Sequence, residues 1–177
     1  MTNEQLDWLE KVNIILKRWT RGKTISSIVL GSRGTELTLV LSSWDVDGFR
    51  ATTIAFEDKW LLQPSLDQFS EKEITSLLQA EEEEECRHKS KHFAALCEMF
   101  DKPEITDASI TAGNHLLLTF GHEIRMLIQG SPQIDYSINW RVTAGPHNLI
   151  ASQGKLEGIW DPYELRDEIK DNKAESQ

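Results

Sequence analysis

The sequence predicts an α+β protein. Antiparallel strands fall in two groups, about 24–56 and 105–160. A long central helical segment over about 71–100 separates them, with a helix at each terminus. Two observations carry this reading. Apolar residues recur every three or four positions near the N-terminus and in the middle, but every second position in the two strand groups. Gly- and Asn-containing turns punctuate the strand groups at short intervals. The chain has 177 residues, 39% hydrophobic and 27% charged, which suits one domain with a real core.

Leu6, Leu9, Val12, Leu16 and Trp19 form a helical stripe, widened by Trp8 and Ile15. Asn3 suits the N-cap and Gly22 the stop. Residues 24–30 are rich in Thr, Ser, Ile and Val, and Gly31-Ser32-Arg33-Gly34 is a turn. Leu37, Leu39 and Leu41 alternate along 36–42, and 49–56 follows the turn Asp45-Val46-Asp47-Gly48 as a third strand. Pro64 is read as the end of this group.

Ser70 and Glu73 fit a capping box ahead of Ile74, Leu77 and Leu78. Phe93, Leu96, Cys97 and Phe100 resume the apolar face before Pro103 closes the segment. Strands are then predicted at 105–111, 115–120, 123–128, 136–143, 149–152 and 155–160. Asp161 and Pro162 open a terminal helix to about Lys170. The single domain is placed at 1–170, and 171–177 reads as a flexible polar tail.

Residues 24–30 cross Gly34 into 36–41 much as 104–110 cross Gly113 into 115–120. In each, an early Ile precedes a Gly turn and a Leu-rich strand. A duplicated helix-plus-meander unit, with two half-sheets about a pseudo-twofold, fits this echo. So does the patterning common to any two hairpins.

The later half reads strand, Gly-Asn turn, Leu-rich strand, Gly-His turn, strand, then Ile138-Asn139-Trp140-Arg141-Val142. Over residues 104–158 this resembles small uncharacterised bacterial β-meander proteins. Some of those are immunity proteins encoded beside contact-delivered toxins. The resemblance implies a protein-binding role and no catalytic residues. The first half has no Trp-Arg counterpart.

Lys+Arg is 19 against Asp+Glu 29, a formal net charge of −10. Nucleic-acid binding through a basic face is disfavoured, since phosphate contacts need clustered cations. No apolar run approaches a membrane span. The polar N-terminus and two cysteines, Cys86 and Cys97, suit a cytoplasmic protein with reduced thiols.

Catalytic and metal motifs are weak. His88 and His92 lie one helical turn apart near Cys86, but a structural zinc site needs about four ligands and no second cluster is spaced for one. No metal and no cofactor is expected. Gly-x-Ser-x-Gly is absent, and Gly31–Gly34 lacks the Lys-Ser/Thr of a phosphate loop. Asp45 and Asp47 lack the later ligands of a calcium loop.

The most conspicuous surface feature is Glu81, Glu82, Glu83, Glu84 and Glu85. They read either as a solvated helix face or as an electrostatic lure for a basic protein. Trp44, beside Asp45 and Asp47, is the tryptophan placed in a turn, a position suited to an interface anchor.

The expectation is a non-enzymatic, acidic, protein-binding protein. Its sharpest form is an inhibitor of a basic toxin or nuclease, with Glu81–Glu85, Trp44, Asp45 and Asp47 as the binding residues. One rival is a small enzyme or ligand-binding protein whose pocket between sheet and helix draws on His115, His122 and Arg125. Another is a homodimeric structural protein.

Overall fold

The computed structural model describes residues 3–31, 36–45, 48–57, 60–64, 93–122, 124–130, 138–152 and 155–159. Helix α1 spans Asn3–Thr20 and ends on Lys17 and Arg18, whose charges complement the helix carbonyl end. Gly22 follows at φ 73°, a left-handed turn that a β-carbon would strain.

Among the described residues ten strands follow: β1 Thr24–Leu30, β2 Leu37–Asp45, β3 Gly48–Phe56, β4 Trp60–Pro64, β5 Ile105–Ile110, β6 Leu116–Phe120, β7 Ile124–Ile128, β8 Ile138–Ala144, β9 His147–Ser152 and β10 Lys155–Ile159. They form two antiparallel sheets. The first runs β1-β2-β3-β8-β9-β10 and the second β4-β7-β6-β5. Alternation sets which side chains turn inward. Leu37, Leu39 and Leu41 of β2 and Leu116, Leu118 and Phe120 of β6 are buried in one core that draws on both sheets. Val12, Ile15, Leu16 and Trp19 supply the face of α1 to the same core.

The strand groups do not divide between the sheets as the sequence suggested. After β3, the chain crosses and β4 joins the second sheet. After β7, it crosses back and β8 joins the first. The sequence reading missed β4 because it took Pro64 as a terminator. β4 is an edge strand, and an edge tolerates a proline whose missing N–H faces outward.

The exchange is matched residue for residue. Trp140 of β8 pairs with Phe56 and Val142 with Ile54, while Trp60 of β4 pairs with Ile128 and Leu62 with Met126. Phe56 in turn pairs with Leu37, and Ile128 with Leu116. The first hairpins agree as well. β1·β2 slips one register between Ile25 and Ser27, and β5·β6 slips between Ile105 and Asp107. At each bulge a hydroxyl binds across the ladder. Ser26 Oγ donates to the Val40 carbonyl at 3.0 Å, and Thr106 Oγ1 to the Thr119 and Gly121 carbonyls at 3.4 and 2.6 Å.

Residues 93–97 are helical, with Leu96 and Met99 in the core. The helix expected to run to Phe100 stops at Cys97: residues 98–99 turn and Phe100 bridges to Ile25. Residues 71–92 of that expected helix, the C-terminal helix at 162–170 and the tail at 171–177 lie outside the described residues.

Helix α1 also seals the edge of β5. Asn13 Oδ1 accepts from the Ile110 N–H at 2.6 Å, and its Nδ2 donates to the Ile110 carbonyl at 3.3 Å. Lys17 pairs with Asp107 at 2.9 Å further along. Asn13→Ala leaves both backbone groups without this partner. The expected loss is about 1–2 kcal/mol, or a fall of about 2–8 °C in Tm. Asn13→Asp, which keeps only the acceptor, should fall between the two in a thermal melt.

Candidate interaction edge

Only part of the expected binding surface falls where it can be described. Trp44 and Asp45 are not in a turn. They end β2, where Trp44 pairs with Phe49 and Asp45 with Gly48. Asp47 and Glu81–Glu85 lie outside the described residues, as do Cys86, His88 and His92.

The residues of the rival pocket do not converge. His115 is buried, and its Nδ1 accepts from the Gly130 N–H at 3.2 Å. His122 is exposed in the β6–β7 turn. Arg125 pairs with Thr119, whereas Leu116 pairs with Ile128. His115 and Arg125 are therefore four residues apart along the ladder, about 13 Å. Among the described residues, no three His, Cys, Asp or Glu side chains gather as metal ligands.

One polar cluster was missed in the sequence. Lys23 is buried, and its Nζ donates to Thr52 Oγ1 at 2.7 Å. The Thr52 hydroxyl donates to the Trp19 carbonyl at 2.9 Å, and the Trp19 ring stacks on His147 at 5.9 Å. In the sequence Lys23 looks like one more cation after Lys17, Arg18 and Arg21. The available signal was Thr52, a polar residue in phase with the core positions Ile54 and Phe56. A buried ammonium needs oxygen partners, and here the relay ties the end of α1 to β3.

The feature that bears on binding is the state of the sheet edges. Unpaired strand edges are templates for other chains, and proteins usually cover or charge them. The two sheets have four. That of β5 is sealed by Asn13. β4 ends on Pro64, which has no N–H to offer an incoming strand. β10 carries the exposed charges Lys155 and Glu157. Among the described residues, nothing covers the far half of β1, and that half carries no charge.

The near half of β1 is occupied. The Gly22 N–H donates to the Ile105 carbonyl and the Ile105 N–H to the Lys23 carbonyl, both at 2.8 Å, and the Asp101 N–H donates to the Ile25 carbonyl at 3.0 Å. Past the Ser26 bulge this cover ends. The Gly31 N–H donates to the Glu36 carbonyl at 2.8 Å, so Gly31 faces β2. Antiparallel ladders alternate, so Val29 also faces β2 while Ile28 and Leu30 turn their N–H and C=O groups outward.

The side chains agree. Val29 is 51% exposed and Leu30 57%, and Phe100, bridged to Ile25, is 40% exposed. Three of the five exposed large apolar residues among those described thus lie along this one edge; the others, Trp8 and Ile14, are on α1. No residue of Thr24–Leu30 is charged. The arrangement can accept an extended strand by backbone hydrogen bonding and bury apolar side chains on both faces.

No described helix is long and apolar enough to cross a membrane. No family model, no curated protein and no solved structure matches the chain.

Proposed function

We propose that this is a non-enzymatic protein-binding protein that accepts an extended segment of another polypeptide on the open edge of β1. The observation that carries the reading is the bare, uncharged stretch Ile28–Leu30, with outward backbone groups and Val29 and Leu30 exposed. The net charge of −10 selects basic partners and speeds their approach. Glu81–Glu85 belong to the same reading as the acidic lure. In its sharpest form the protein inhibits a basic toxin or nuclease in the cytoplasm, the role that the resemblance of residues 104–158 implies. The matched registers of the two halves support an origin by internal duplication, with the fourth strand of each half exchanged.

The test is affinity capture from the native lysate at low and moderate salt, followed by titration of the captured protein. A basic partner that binds stoichiometrically and weakens as salt rises is the expected result. Val29→Lys, which charges the edge without touching the core, should weaken that binding at least about tenfold, a loss of about 1.4 kcal/mol. Unchanged affinity in the correctly folded variant would remove β1 from the interface. No complex at physiological salt would sink the function.

A further inference from the structure

We infer that in the isolated protein the open edge of β1 is closed by a second copy of the chain, strand to strand about a twofold axis at Val29. The inference rests on β1 being a strand acceptor, as proposed above, and adds which strand it accepts when no other partner is present.

The register follows from the alternation of the ladder. Outward backbone groups stand at Ile28 and Leu30. In an antiparallel pair about a twofold, Ile28 of one copy meets Leu30 of the other, and Leu30 meets Ile28. Both are hydrogen-bonded pairs, so four N–H···O=C bonds form and all the outward groups of Ile28 and Leu30 in both copies are used. Sliding the copies by two residues in either direction halves that number. Val29 then faces its own counterpart in the close, non-hydrogen-bonded position, with Cα atoms about 4.5 Å apart.

The side chains suit this pairing. Val29 and Leu30, the most exposed large apolar residues among those described, come together on opposite faces of the joined sheet. Because Thr24–Leu30 carries no ionisable group, twofold pairing sets no like charges across the new ladder, although each chain is −10 overall. Phe100 borders the occupied end of the edge beside Ile25, and the small Gly31 of the other copy approaches that end. The pairing is isologous and closed, so it stops at a dimer. The contact is smaller than the roughly 1,200 Å² of a standard interface, so association is weak.

Sedimentation of the full chain under reducing conditions, from about 1 to about 500 µM, should show the mass rising from 20.2 kDa toward twice that value. Raising salt should strengthen the dimer by screening the repulsion of two acidic copies, the opposite of the effect on a basic partner. Val29→Lys sets two ammonium groups face to face and should abolish the dimer while leaving the melting temperature of the monomer unchanged. Register is read by cross-linking in a background carrying Cys86→Ser and Cys97→Ser. Val29→Cys should form an intermolecular disulfide on mild oxidation at least about tenfold faster than Leu30→Cys, because only residue 29 meets its own copy within disulfide reach. A monomer at every concentration, or equal cross-linking at 29 and 30, overturns the inference. A monomer that still binds a basic protein in a Val29-dependent way overturns the dimer alone and leaves the proposed function standing. A dimer formed as described, with no partner at any salt, does the reverse.

Discussion

Gly130→Ala is expected to cost about 3 kcal/mol of stability, the upper end of what overpacking usually costs. A β-carbon built on Gly130 would overlap the carbonyl oxygen and carbonyl carbon of Asn114. Those are backbone atoms, so no side-chain rotation relieves the overlap. The same carbonyl accepts the Trp140 indole N–H at 2.9 Å, and the Gly130 N–H donates to His115 Nδ1 at 3.2 Å. Moving either segment out of the way therefore strains a hydrogen bond as well as the packing. In a protein of this length the loss corresponds to a fall of about 6–12 °C in Tm. A melt within about 2 °C of wild type would mean that this close approach is not present in solution.

The elements most readily read from the sequence are those with a complete local signal. α1 is predicted at Asn3 to Trp19 and found at Asn3–Thr20, because its stripe, cap and terminating glycine agree. β1 is found at Thr24–Leu30 as predicted, and the other predicted strands within the described residues stand within a few positions of their expected bounds. The pairing of strands was less accessible. Periodicity says which face of β3 is buried but not that Phe56 will pair with Trp140, more than eighty residues away. The exchange of β4 and β8 is a long-range choice, made by the fit of Trp60 against Phe56 and Ile128 rather than by any local propensity.

The candidate site was legible for a different reason, and less well. Charge and aromatic content drew attention to Glu81–Glu85 and to Trp44. The residues that distinguish β1 are ordinary by composition. Val29 and Leu30 are ordinary apolar residues in a strand rich in Thr, Ser, Ile and Val, and nothing local says that one end of that strand lacks a neighbour. Whether an apolar residue is buried depends on which strands reach it, and that is settled by sheet order. The acidic surface and the open edge could therefore be joined in one functional reading only after the sheet order was known.

Trp140→Ala is expected to destabilise the fold by about 3–5 kcal/mol, and by at least about 1 kcal/mol more than Trp60→Ala. The two tryptophans occupy the same register position in the exchanged strands, opposite Phe56 and Ile128 respectively. Equivalent position does not give equivalent surroundings. Trp140 is wholly buried and satisfies the Asn114 carbonyl with its indole N–H. Trp60 is half-buried, with its ring edge-on to Phe56 at 5.9 Å. Removing Trp140 loses the larger apolar area, leaves a cavity in the core and removes the indole donor to the Asn114 carbonyl, whereas solvent can partly fill the place of Trp60. Trp140→Phe separates these contributions. It keeps most of the ring volume but removes the N–H, so it should recover more than half of the loss. Denaturant melts of the three variants decide the matter. Equal losses at 60 and 140 would mean that the crossing strands are equally buried in solution. That would make the two halves symmetric in energy as well as in register, contrary to the exposures found here.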